Sequence, residues 1–333
     1  MALQANDAPF TVVTGASGFI GQALVNELFA RRIHHRAIVR TASSLFDSST
    51  SQFKVFPIGE IGTKTDWTKV LLNCDCVIHC AGRVHFMNDS STASLDAYRS
   101  TNLDGTKQLA YQAAQLGVRR LVFLSSIKVD GESTNDRESP FFYSDERNSH
   151  PPSDSYALSK WEAEQSLWEI SAKTGLEVVV IRLPLVYGPG VKGNLFSLLK
   201  LVYNRIPLPF ALVDNKRSFL GIKNLIDALI LCIDNPSVVG QTLYLSDGYD
   251  LSTPDLISML SLGFGYKPLL FPVPLHMLRL LGYATGRRNQ TDRLLGSLQI
   301  DPCNTFELLK WSPPFTVSES LFATSQWFQK QCC

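Results

Sequence analysis

Short apolar runs alternate with stretches of helical periodicity through the first half of the chain. The runs are "FTVVT" (10–14), "RAIV" (36–39), "FKVFPI" (53–58), "CVIH" (76–79), "LVFLS" (121–125) and "LEVVVIR" (176–182). Between them, Ile20, Leu24 and Leu28 recur at a spacing of four, and helices are predicted near 66–73, over about 92–116 and through 155–174. Strands that are apolar on both faces and separated by helices belong to a parallel sheet covered on both sides. That pattern predicts an α/β fold, a doubly wound parallel sheet over residues 8–184. Beyond Arg182 the alternation breaks down, and glycine and proline become frequent in "PLVYGPGVKGN" and "IPLPF". A helix at 224–233 and a strand at 242–247 follow. A smaller, mostly helical lobe is expected over 185–325, with parts of about 218–247 returning to the first domain.

Composition narrows the functional classes. With 31 basic and 30 acidic residues the net charge is +1, which provides no general attraction for nucleic acid. The opening "MALQANDAPFTVVTG" lacks a charged segment followed by a long apolar core, so a cytoplasmic protein is expected. The seven cysteines form no CxxC or Cys/His arrangement, and no metal site is expected. One stretch, "KPLLFPVPLHMLRLLGYATG" (267–286), is unusually apolar, but its three prolines and internal charges make it a poor membrane span. Packing in the core or as a cap is the default expectation, with a membrane or protein contact as the alternative.

The segment "TGASGFIG" (14–21) carries Gly15, Gly18 and Gly21 between the first strand and the first helix. Glycine there permits a tight turn and close approach of a pyrophosphate, which the helix N-terminus then faces with free N–H groups. The loop residues Gly15, Ser17, Gly18, Phe19, Ile20 and Gly21 are therefore candidates for dinucleotide binding. An acid usually stands about 20 residues further on, at the end of the second strand. Here that place is held by Arg40, followed by Thr41, Ser43 and Ser44. An arginine there can meet a 2′-phosphate, so NADP(H) is expected ahead of NAD(H).

In "DSYALSKWEAE" (154–164), Tyr156 precedes Lys160 by one helical turn, on the same face. Two groups roughly 5 Å apart at an effective dielectric near 20 interact by about 3 kcal/mol. An ammonium so placed is expected to pull a phenol from about 10 towards 8, within reach of proton exchange near neutrality.

With the glycine loop, Tyr156 and Lys160, and a serine ending the fifth strand in "LSSIKVDGE", the chain resembles the extended short-chain dehydrogenase/reductase family over nearly its whole length. Within it, the nucleotide-sugar epimerases, dehydratases and keto-reductases are most similar. The resemblance implies a Rossmann domain and a nucleotide-sugar lobe. It places Ser126 at the substrate oxygen, Tyr156 as the proton donor or acceptor, and Lys160 on the nicotinamide ribose. It matches Glu60 and Ile61 to an adenine contact, and Ala81, Gly82 and Arg83 to the turn beside the cofactor. Asn102 matches an asparagine that holds the active site together, and Pro184 and Leu185 match the segment passing the nicotinamide. In the second lobe Asn194, Arg217 and Arg293 would clamp the diphosphate of a UDP-sugar, and Phe210 would lie near its uracil. Ile127 and Lys128 replace the acid pair of the dehydratases, which speaks against dehydration and leaves Lys128 as a substrate contact. Leu185 replaces an asparagine frequent in 4-epimerases. The motifs look most like reductases of UDP-4-keto-6-deoxy-N-acetylhexosamines in surface polysaccharide synthesis, with a UDP-hexose or N-acetylhexosamine 4-epimerase holding NAD as the alternative. Family members often dimerise through the two long helices, so a homodimer is expected.

Overall fold

The computed structural model describes residues 10–41, 54–84, 93–134, 151–286 and 288–332. Contacts divide them into two units, the first drawn from 1–129, 145–182 and 226–243, the second from 130–144, 183–225 and 244–333.

The first unit is built on strands β1 (Phe10–Thr14), β2 (His35–Val39), β3 (Lys54–Pro57), β4 (Cys74–His79), β5 (Arg120–Ser126) and β6 (Glu177–Leu183), with β9 (Thr242–Tyr244) completing the sheet. The seven-stranded order is β3-β2-β1-β4-β5-β6-β9, and β1 pairs in parallel with both β2 and β4. The chain winds outward one way from β1 and then the other way from β4, which is the doubly wound Rossmann arrangement expected from the apolar runs. In such a sheet the crevice beyond the carboxyl ends of the strands, where the direction reverses, is the ligand position. That point lies here between Thr14 and His79, whose Cα positions are in register.

Helices α1 (Phe19–Ala30), α2 (Thr68–Leu71), α3 (Ala93–Tyr98), α4 (Gly105–Gln115) and α5 (Ser155–Thr174) cover the strands. Val77, Leu121, Phe123, Val178 and Val180 of the sheet pack with Leu109, Ala113 and Leu167 of α4 and α5. The expected long helix over 92–116 is interrupted: between α3 and α4, residues Arg99–Asp104 form a wider π-type turn in which Asn102 is fully buried. Such turns recur at functional sites. The helix expected near 66–73 shrinks to α2 and is followed by Asn73 in the left-handed region at φ 61°.

In the second unit β7 (Leu185–Tyr187) and β8 (Phe219–Gly221) pair in parallel. The helices α6 (Gly193–Tyr203), α7 (Ile222–Leu231), α8 (Thr253–Gly263), α9 (Leu275–Ala284), α10 (Arg288–Leu295), α11 (Cys303–Leu309) and α12 (Val317–Cys332) complete the chain. Asp247 accepts hydrogen bonds from Gly221 N, Asn224 Nδ2 and the Tyr187 hydroxyl, tying β7 and β8 to the segment after β9. The strand expected at 242–247 stops at Tyr244, because Asp247 N instead bonds to Phe219 O. No helix among the described residues is long and apolar enough to cross a membrane.

Arg120 sets the start of β5. It is 1% exposed, and its guanidinium donates to Cys232 O, Ile233 O and Asn235 O at 2.7–2.9 Å and to the Glu177 carboxylate at 2.8 Å. Those carbonyls follow the end of α7, where unpaired C=O groups and the helix dipole attract a cation. Removing one member of a buried charged set costs about 3–5 kcal/mol. Arg120→Met is therefore expected to lower the unfolding free energy by about that amount, measured by urea denaturation followed by circular dichroism.

Candidate active site

The dinucleotide loop lies at the reversal point. Gly15 has φ +64°, and a Cβ on it would sit 2.7 Å from Ala81 N of the β4 turn. A Cβ on Gly21 would sit 2.2 Å from Gly15 O, so the loop closes on α1 only with glycine at both positions. Helix α1 starts after Gly18 with no side-chain cap and no acid in its first turn. Its N–H groups thus face outward for an anion, the arrangement a pyrophosphate needs. Ser17, Phe19 and Ile20 are half-buried around this start. The residues present fit a dinucleotide.

At the end of β2 the structure adds a partner that the linear reading missed. Arg40 lies 3.7 Å from the carboxylate of Glu60, with 72% and 87% of the two side chains exposed. An acid therefore stands beside the second strand after all, supplied by the turn after β3. Ile61 packs against Gly105, where a Cβ would lie 2.4 Å from its Cγ2. Thr41 is exposed, and Ser43 and Ser44 lie outside the described residues.

The three candidate catalytic residues come together beyond β5. Ser126 ends the strand, and Tyr156 and Lys160 lie on α5, whose start is capped by Asp154 accepting from Ala157 N at 2.9 Å. Burial pushes the Tyr156 phenol up to about 12, while a hydrogen bond from Ser126 pulls it down. The expected descent towards 8 is thus corrected, because burial of the phenol outweighs what lowers it. The Lys160 ammonium donates to Leu124 O at 2.8 Å and lies 4.5 Å from the centre of the Phe123 ring, so it is engaged with β5. The low value belongs instead to Lys160 itself, which burial lowers to about 8 although Glu164 raises it.

Asn102 joins this helix to the β4 turn. It accepts from Arg83 N at 2.8 Å and donates to Arg83 O and to Ser159 Oγ, each at 3.0 Å. Gly82 is the narrow point of the turn, since a Cβ there would lie 3.3 Å from both Asn102 Oδ1 and Lys160 Nζ. Arg83 lies over the Tyr98 ring, which meets Tyr156 edge-on at 5.9 Å.

Two buried networks support these groups and were not singled out from sequence. Glu164, one turn beyond Lys160, is fully buried and accepts from Ser125 Oγ and from Arg182 at 2.6 Å. A carboxylate four residues past Lys160 and an arginine ending an apolar strand were the available signals. His79 is also buried: its Nδ1 lies 2.6 Å from Thr14 Oγ1 and its Nε2 3.0 Å from Thr106 Oγ1, while Ala81 N donates to Thr14 Oγ1. Burial lowers the imidazole to about 3, so the ring is neutral and links β1, β4 and α4 through hydroxyls. A histidine inside "CVIHC" was the visible clue.

Lys128 follows Ser126 in a short 3₁₀ turn, with its Nζ 3.7 Å from Asp154. In the second unit, Arg217 donates to Gly296 O at 2.9 Å, and burial together with nearby Arg293 lowers it to about 10. Arg293 pairs with Glu132 at 3.1 Å. Arg217 thus feels the Arg293 guanidinium, which lowers it, and the Glu132 carboxylate, which raises it. Asn194 is exposed at the start of α6. Phe210 packs against the small cluster of Val213, Leu278 and Leu295, so core packing engages its ring. Pro184 is buried and Leu185 is 40% exposed.

A family model described as the NAD dependent epimerase/dehydratase family matches residues 11–244. The chain is 40% identical over 319 residues to a UDP-glucose 4-epimerase of Vibrio cholerae, covering 95% of this chain and 94% of that protein. It is 24% identical over 332 residues to N-acetyl-alpha-D-glucosaminyl-diphospho-ditrans,octacis-undecaprenol 4-epimerase of Escherichia coli O157:H7, covering 95% and 94%. The fold is shared with the crystal structure of UDP-glucuronic acid 4-epimerase from Bacillus cereus in complex with NAD, at a TM-score of 0.76 and 20% identity over 96% of each chain.

The neutral His79 has a consequence for stability. Its pKa is about 3 in the folded chain against an ordinary 6.5, so between those values the unfolded chain binds a proton that the folded chain does not. Stability is expected to fall as pH drops from about 6.5 towards 3, at about 1.4 kcal/mol per pH unit from this residue. Comparing urea midpoints across that range, the His79→Gln variant should show a slope shallower by about one proton than the unmodified protein.

Proposed function

The chain belongs to the NAD dependent epimerase/dehydratase family, and from that premise we propose that it is a UDP-sugar 4-epimerase working with NAD. The observation that carries this reading is Ser126 at the end of β5 acting on the buried Tyr156 phenol, with Lys160 one turn along the same helix as Tyr156 and bonded to Leu124 O of that strand. The likeness to the Vibrio cholerae protein supports it.

Bound NAD supplies the acceptor and donor of the C4 hydride, and the chain's own residues manage the oxygen on that carbon. Ser126 hydrogen-bonds the C4 oxygen and Tyr156 exchanges its proton, so that the alcohol and the ketone are both accommodated. Lys160 holds a positive charge beside them while pH stays below about 8. The glycine loop and α1 hold the pyrophosphate, and the Gly82 turn, clamped by Asn102, lies against Lys160. Arg217 and Arg293, with Asn194, are the proposed ligands of the sugar's diphosphate, for which the forked guanidinium is suited. Lys128 is proposed to face the sugar.

NAD replaces the expected NADP(H) in this reading because Glu60 opposes Arg40: a carboxylate there accepts from a ribose 2′-hydroxyl and repels a 2′-phosphate. The 4-keto reductase expected first from the motifs yields to the epimerase. A sugar carried on undecaprenol diphosphate, as in the name of the Escherichia coli relative, is a second reading, favoured by the outward apolar face of α9.

Purified protein is expected to interconvert UDP-glucose and UDP-galactose, or their N-acetyl forms, without net oxidation or reduction of cofactor. Tyr156→Phe should lower kcat by roughly 10²- to 10⁴-fold while leaving NAD affinity nearly unchanged, measured by coupled assay and titration calorimetry. Stoichiometric consumption of NADPH with a 4-keto sugar, without epimerisation, would restore the reductase.

Cofactor choice is checked separately. NAD should bind more tightly than NADP, and Glu60→Gln should move the ratio of their dissociation constants towards NADP by about fivefold, the worth of one exposed charge pair. A ratio unmoved by the substitution would remove Glu60 from cofactor selection.

A further inference from the structure

Helix α9 is held to the second unit by one narrow side. Leu278 is buried in the cluster with Val213 and Leu295, and Gly282 lets α10 approach so closely that a Cβ there would lie 2.3 Å from Thr291 Oγ1. At 100° per residue the opposite face carries Met277, Leu280 and Leu281, at i, i+3 and i+4. A helix on the surface of a soluble unit ordinarily turns polar residues to that side. Here Leu280 is 68% exposed and neighbouring Tyr283 71%, and exposed Phe271 extends the apolar surface into the loop before the helix.

The segment around this face has a net positive charge, although Arg288 pairs with Asp292 at 3.6 Å on the exposed surface of α10. From Leu256 to Thr291 the chain contains Lys267, Arg279, Arg287 and Arg288 and no aspartate or glutamate. Lys267, Arg279 and Arg288 are exposed. An apolar helix face carrying Arg279 within a segment of net positive charge, too short to span a bilayer, matches a segment that lies in the headgroup region of an anionic membrane. A second copy of this chain is a poor occupant. A two-fold contact would oppose the same patch to itself and bring its net positive charge together, with Asp292 already engaged by Arg288. We propose that the outward face of α9 docks the protein on an anionic phospholipid surface, with Met277, Leu280 and Leu281 entering the acyl boundary and Lys267, Arg279 and Arg288 meeting lipid phosphates.

The test is flotation of the full-length protein with vesicles of phosphatidylcholine alone or with one third phosphatidylglycerol, at low and high salt. Binding to the anionic vesicles is expected to exceed binding to the neutral ones by about 10²-fold at low salt, and to fall when salt is raised. Leu280→Glu/Leu281→Glu should abolish flotation, and Arg279→Glu should weaken it by about tenfold or more. Circular dichroism melting of each variant establishes that the fold is retained, and Arg279→Glu carries the test if the double variant melts early. Failure of the unmodified protein to float, or equal flotation by the Arg279 variant, would overturn the proposal. So would a dimer in light scattering that the double variant splits, since the face would then be covered by a second copy.

Discussion

Charge buried behind β5 and α5 is the constraint on which the candidate site depends. Lys160 and Glu164 lie one turn apart on the face of α5 turned to the sheet, and neither could stay there unpaired, because an isolated charge in the interior is prohibitively costly. Arg182 from β6 and Ser125 from β5 satisfy Glu164, and Leu124 O accepts from Lys160. The register of α5 on the sheet is thereby fixed at three points, and Tyr156 is carried to Ser126. Asn102 extends the same logic to the other side, since its two bonds to the Arg83 backbone and one to Ser159 set the β4 turn against the helix.

Burial then sets the protonation states. It keeps Tyr156 a phenol at neutral pH, lowers Lys160 to about 8 and holds His79 uncharged. The roles follow from those states: a phenol can give its proton to a ketone oxygen, and a nearby hydroxyl stabilises whichever form of that oxygen is present. Neutral His79 serves structure, because with Thr14 and Thr106 it closes the interior beneath the point where the sheet reverses. The glycines above it leave space where any side chain would strike backbone.

Much of this was legible in the linear pattern. Apolar runs located β1 to β6 closely, since strands buried on both faces leave an unbroken apolar signature. The glycine loop and the Tyr156–Lys160 spacing marked the two halves of the site. What the pattern could not show was pairing across distance. Arg40 looked like a free cation because Glu60, twenty residues on, is brought beside it only by the β2–β3 pairing. The Tyr156 phenol was misjudged for a related reason: helical spacing puts it on one face with Lys160 but does not reveal that the fold buries the phenol and that β5 takes up the ammonium. The π-type turn at Arg99–Asp104 was hidden because its residues sustain helical periodicity on either side. Phe210 could not be assigned by residue type, since an apolar ring serves a core as readily as a ligand, and the packing of this half-buried ring against the cluster of Val213, Leu278 and Leu295 was not visible in the sequence.

The central claim is that Ser126, Tyr156 and Lys160 serve a hydride that leaves C4 of a UDP-sugar and returns to the same carbon. The most direct test follows the fate of a label: UDP-glucose carrying deuterium at C4 is incubated with purified protein and NAD, and the product is read by mass spectrometry and NMR. The account predicts UDP-galactose that retains the deuterium at C4. Absence of the C4 epimer from both UDP-glucose and UDP-N-acetylglucosamine so labelled, or an epimer with protium at C4, would contradict it.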